Sequence, residues 1–189
     1  MTCEEIFTKL AEHQINGMMV HEQLANYYDF LGLPGYRNCH EYHFMAESCT
    51  YRKICRYYVN HYNKLIPVTE FDTPEVVPES WYKYNRQDVD ISTKKNAIKS
   101  GLEEWVDWET ETKKLYSDMY KEAIENGSID AADFIQGLVA DVSNELKKAT
   151  MYWLNKEAIN YDMSVIISEQ KEKSDKYKAK LRLVGNDLC

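Results

Sequence analysis

The chain has 189 residues, 44% of them hydrophobic, with only seven Gly and four Pro. That length suits one domain with a sizeable core, and the shortage of chain breakers favours a mostly helical protein. A net charge of −8 argues against a nucleic-acid phosphate surface, and no apolar run reaches the length of a transmembrane helix.

The opening residues, MTCEEIFTKL, carry acids where a secretion signal would carry bases, which points to a cytoplasmic protein. Among the five cysteines, Cys39, Cys49 and Cys55 fall in one helical stretch, and no two pairs have finger-type spacing. Reduced thiols are therefore expected, and zinc is not.

In chain order, the first helix is predicted from about Thr2 to Phe30, with Ile6, Leu10, Gln14, Gly17, His21, Leu24 and Tyr28 near one face. Leu31-Gly32-Leu33-Pro34-Gly35 should stop it. A second helix is predicted from about Tyr36 to Leu65, with His40, Phe44, Glu47, Tyr51, Ile54 and Tyr58 inward. So short a turn makes the two antiparallel. From Pro67 to about Ile91 the helical pattern is absent, and Pro67, Pro74 and Pro78 interrupt the segment. A connection of that length fits a crossover that returns along the bundle, since a twenty-residue helix spans roughly 30 Å, which about ten extended residues cover.

The third helix should start near Ser92, its expected N-cap, and run to about Asn126. Its stripe is Leu102, Trp105, Glu109, Thr112, Tyr116, Met119 and Ala123. Gly127 supplies a C-cap. The fourth should run from about Asp130 to Glu157, with Phe134, Leu138, Asp141, Glu145 and Tyr152 near one face. A last helical segment, Met163 to Leu183, is strongly charged and reads as a solvated face or one packed on a neighbour. Hairpin, long crossover, hairpin is the layout of ferritin-like four-helix bundles, all-α. Residues 1–160 would form the bundle, and 161–189 a C-terminal helix and tail packed on it or on a neighbour.

An acid inside an apolar stripe needs a partner or a metal, because a lone buried carboxylate is costly. Glu47 and Glu109 are such acids. His43 lies four residues before Glu47 on roughly the same face and either adds an imidazole or serves as a surface or capping residue. Glu109 could equally pair with a buried Lys or tip to solvent. Asp141 and Glu145, at i and i+4, read either as inward ligands or as an ordinary solvated acidic face.

Several stretches resemble the ferritin family, particularly its bacterial members: KLAEHQIN, YYDFLGLPGY, FMAES, PEVVPESW and WETETKKLYSDMYKEAIENGSIDAADFIQGLVADV. The likeness covers roughly residues 6 to 155, and PGYRNCHEY has a flavour of the DNA-protecting mini-ferritins. The resemblance implies an iron-binding bundle that oxidises or stores iron and forms homo-oligomers, with Glu47 and Glu109 as ligands. Asp141 and Glu145 correspond to acids that bind further iron or pass ions onward. Gln14 stands where the family has a terminal carboxylate, and His21 where it usually has a Tyr beside the site. Thr50 stands where it has a His. The implied di-iron set is incomplete, which favours weak or mononuclear iron binding over efficient oxidation. Tyrosine-radical chemistry lacks its paired Glu-x-x-His motifs, and Tyr51, Tyr58, Tyr116 and Tyr152 read as core. The competing reading is a non-catalytic bundle that kept the fold and acts as a structural or interaction subunit.

Overall fold

The computed structural model describes residues 1–68 and 75–187. Helix α1, Cys3–Phe30, begins with a capping box: Thr2 Oγ1 accepts from Glu5 N–H (3.2 Å), and the Glu5 carboxylate accepts from Thr2 N–H (2.7 Å). It stops where Gly32 takes φ +74°, which lets Gly32 and Leu33 donate back to the carbonyls of Asp29 and Tyr28. Helix α2, Pro34–Tyr62, starts earlier than Tyr36, because a proline in the first turn has no intrahelical N–H to lose.

Part of the crossover, residues 69–74 with Pro74, lies outside the described residues. Its later part docks on the end of α1. Val76, Val77 and Val89 are buried, Trp81 meets Tyr27 edge-on at 5.1 Å, and Arg86 donates to the Asp29 carbonyl (2.7 Å). The chain thus reaches the hairpin end of α1 before α3, Ile91–Glu125, begins, so α3 runs parallel to α2. Asp90, not Ser92, caps α3 by accepting from Thr93 N–H (2.7 Å). Gly127, at φ +71°, closes it as expected, and α4, Ile129–Ala158, returns antiparallel.

Helix α5, Met163–Asp187, lies along the first half of α2 in the same direction. Gly35 N–H donates to Gln170 Oε1 (2.9 Å), Asn38 Nδ2 to Ser174 Oγ (2.8 Å), and the Lys180 ammonium sits over the Tyr42 ring. Lys156 and Lys173 share the Glu169 carboxylate at 2.6 and 2.8 Å. Among the described residues no helix is long and apolar enough to cross a membrane. Cys3, Cys39 and Cys55 are free thiols, but Cys49 is disulfide-bonded. This corrects the expectation of uniformly reduced cysteines, since spacing within one helix carries no information on partners elsewhere.

The core is split. One apolar cluster, with Leu24, Tyr28, Tyr36, Ile98, Leu102 and Ile166, fills the hairpin end. A second, with Ile6, Phe7, Leu10, Ile54, Met119 and Ile135, fills the other. Between them lies a layer of buried polar side chains that includes Gln14, His21, His40, His43, Glu109 and Thr112.

The α2–α5 contact is close at Gly35, where an added Cβ would stand 2.8 Å from Lys173 Cβ and 2.9 Å from the Gln170 carbonyl oxygen. Gly35→Ala is expected to destabilise the protein by about 1–3 kcal/mol, as overpacking does. Denaturant unfolding measures the loss, and hydrogen exchange should quicken in α5 before it does in α1.

Candidate metal centre

Each of the four bundle helices brings a polar side chain into the middle layer. On α2, His40, His43 and Glu47 follow at i, i+3 and i+7, so they share a face. Helix α1 contributes His21, α3 contributes Glu109, and α4 contributes Glu145. One ligand atom from each of His21, His43 and Glu109 lies within 4.8 Å of the others, and all three residues are buried. Glu47 Oε1 is 4.0 Å from His21 Nε2, and Glu145 Oε2 is 3.9 Å from His43 Nδ1. Gly17 allows this approach: a Cβ there would stand 3.1 Å from Trp108 Cζ2 and 3.4 Å from Glu47 Cδ.

Neighbours orient these groups. Trp105 Nε1–H donates to Glu109 Oε1 (3.0 Å) from one turn earlier on α3. His21 Nδ1 lies 3.0 Å from His40 Nδ1. Two buried atoms that face the centre, His21 Nε2 and Glu145 Oε2, have no hydrogen-bond partner among the described residues. A cavity of about 490 Å³ adjoins the centre between α2 and α4. His43, Glu47, Glu109 and Glu145 line it, with Thr112, Tyr116, Leu138 and Val142 among the other walls. Exposed Lys53, Arg56 and Asp141 stand at its rim.

Burial, then Glu109 and Glu145, push the Glu47 carboxyl well above the usual range. Glu109 is pushed up to about 8, mainly by burial, with Glu145 adding and the Trp105 hydrogen bond and Lys148 opposing. Burial drives His21 and His43 the other way, reinforced by His43 for His21 and by His40, Lys148 and Lys180 for His43. The rings therefore stay neutral, with lone pairs free for ligation, and the acids hold protons that a cation could displace. Two imidazoles with carboxylates fit a first-row divalent metal, and the arrangement suits the two-His, one-carboxylate set of non-haem iron.

The expected site residues divide into those in the centre and those outside it. His21, His43, Glu47, Glu109 and Glu145 converge, although Glu145 also pairs with Lys148 at 2.5 Å. Gln14 is buried beside the three-ligand cluster: its amide N–H donates to the Tyr116 hydroxyl, and its Oε1 has no hydrogen-bond partner among the described residues. Asp141 is exposed and 3.8 Å from Lys53. Thr50 turns its hydroxyl onto the Ala46 carbonyl (3.2 Å). Two further rings lie near the centre, His40 fully buried and His13 half-buried. His40 was visible only as part of the inward stripe. His13 lay off its stripe; it stacks on Trp108 at 4.4 Å and meets Thr112 Oγ1 at 2.7 Å, and burial lowers it to about 4.

Two antiparallel hairpins, a bundle-length crossover and a polar middle layer together make the ferritin fold. A humanized archaeal ferritin matches with a TM-score of 0.76 at 18% identity, over 90% of this chain and 94% of that one. An open-pore ferritin from the hyperthermophilic archaeon Archaeoglobus fulgidus matches at 0.70 and 18%, over 90% and 93%. An engineered closed form of that ferritin matches at 0.71 and 17%, over 92% and 96%. No protein-family model matches the chain, and no curated protein does.

Glu109 loses its proton near 4.5 when unfolded and near 8 when folded, so folded chains hold more protons across that window. Stability must then fall as pH rises through it. The buried histidines act only below about 6.5, where unfolded chains take up protons that the folded rings refuse. Between about pH 6.5 and 8, metal-free protein should lose stability at up to about 1.4 kcal/mol per pH unit through Glu109. Glu109→Gln should flatten that slope in denaturant titrations, and an unchanged slope would contradict the assignment.

Proposed function

We propose that this protein is a ferritin-like iron-binding protein whose centre is built from His21, His43 and Glu109. The convergence of those three ligand atoms within 4.8 Å carries the reading. Glu47 and Glu145 stand close enough to add negative charge, and Trp105 holds Glu109. The partnerless His21 Nε2 and Glu145 Oε2 support a cation, because buried polar atoms otherwise find partners. The net charge of −8 raises the local concentration of cations. Ferrous iron at such a centre supplies one-electron chemistry toward dioxygen. The chain's own part is to bind the ion and to release protons from Glu47 and Glu109 as it does so, which makes affinity fall with falling pH. We further propose a homo-oligomer, with exposed Met151 and Leu154 on α4 and Ile167 on α5 available to copies of the chain.

One observation favours a purely structural bundle. Thr50, which stands where the family has a His, spends its hydroxyl on the Ala46 carbonyl, and Gln14, which stands where the family has a carboxylate, spends its amide N–H on Tyr116.

Anaerobic Fe(II) titration followed by admission of air separates the two readings. Iron binding predicts saturable uptake, weakened more than about tenfold (~1.4 kcal/mol) by His43→Ala or Glu109→Ala and unchanged by Asp141→Asn. Ferric absorbance should then rise faster than in buffer and slow in Glu47→Ala. No uptake, with oxidation at the buffer rate, leaves the structural reading. Light scattering tests assembly, where a clean monomer would contradict the oligomer.

A further inference from the structure

One ring in the buried layer belongs to no ligand set described above. His40 is fully buried, and its Nδ1 lies 3.0 Å from Nδ1 of His21. Two imidazole nitrogens at that distance share one hydrogen, so one ring donates and the other accepts. A histidine that binds a metal through Nε2 keeps its hydrogen on Nδ1 and needs an acceptor there. His21 Nε2 is the atom left without a partner on the side of Glu47, 4.0 Å away. His40 Nδ1 stands where the Nδ1 hydrogen must go.

His40 is itself firmly placed. It stacks on Tyr28 at 5.3 Å and 14°, and it meets Trp105 in a T-shaped contact at 5.1 Å. Trp105 also donates to Glu109, so one indole steadies a ligand on α3 and the ring that abuts His21. Tyr28 in turn fits because residue 101 is glycine, where a Cβ would stand 2.5 Å from the tyrosine hydroxyl.

We infer that His40 is a positioning residue for the metal centre: its Nδ1 accepts the Nδ1–H of His21 and fixes the tautomer that presents an Nε2 lone pair to the ion. The inference rests on the metal-binding reading above. A neutral acceptor adds less basicity to the ligand than a carboxylate would, so the contribution of His40 is orientation. The hydrogen of His40 then sits on its Nε2, which is also partnerless among the described residues.

The test uses full-length ¹⁵N-labelled protein with Zn(II), a diamagnetic stand-in for Fe(II). Long-range ¹H–¹⁵N spectra of the loaded protein should place the His21 hydrogen on Nδ1 and the metal on Nε2. His40→Leu, which keeps bulk but removes the acceptor, should weaken Zn(II) binding roughly 10–100-fold, the range for lost outer-shell partners. His40→Gln, whose amide oxygen can accept, should restore most of it. Zn(II) bound by the wild type with His21 protonated on Nε2 overturns the inference alone. So does equal affinity in His40→Leu with helical circular dichroism intact. A wild type that binds neither Zn(II) nor Fe(II) overturns the metal reading and this inference with it. If His40→Leu does not fold, the wild-type tautomer and the affinity of His40→Gln still decide.

Discussion

The structure turns on a polar layer held between two apolar clusters. Three histidines, two glutamates and a glutamine share the middle of a bundle whose ends are closed by Ile6, Phe7 and Leu10 on one side and Leu24, Leu102 and Trp105 on the other. Such a layer opposes folding, since each buried polar group that lacks a partner costs about 1–3 kcal/mol. The apolar clusters offset that cost and close the layer at both ends. Burial is also what raises the acids and lowers the histidines, so the burial that opposes folding prepares neutral ligands for a cation.

Rigidity in the layer comes from pairs of contacts that run between helices. Trp105 bonds Glu109 while packing on His40 and His43. Gln14 reaches Tyr116 across the bundle, and His13 reaches Thr112. Glycine matters at two of these crossings. Gly17 lets Trp108 and Glu47 close on α1, and Gly101 leaves room for the Tyr28 hydroxyl. The layer is therefore a property of helix spacing as much as of the polar residues themselves.

Helix α5 gives the bundle a feature that the four-helix layout does not require. It covers the first half of α2 through Gln170, Ser174, Tyr177 and Lys180, and it ties back to α4 through the Lys156–Glu169 pair. Its charged residues split between this seam and solvent, with Lys173 lying over both Tyr36 and Tyr152. Lysine stems cover aromatic surface well, which is why so charged a segment can pack.

Much was legible in the residues alone. Helical periodicity, Gly32, Gly127 and the proline-marked crossover determine the elements, their order and the parallel course of α2 and α3, because these depend on local backbone preferences and chain length. Glu47 and Glu109 stand out because an acid in an apolar stripe is itself a signal. The residues that surround them were harder to place. A stripe marks which side of a helix faces inward to about one residue in four; it leaves open how far along the bundle each side chain meets its opposite. Only the tertiary structure decided that His21 and His43, from neighbouring helices, converge on Glu109, that Gln14 and Thr50 turn to partners inside the fold, and that His40 stands behind His21. Those outcomes depend on the axial register and separation of the helices, which are set by packing across the whole core and not by any segment of the chain.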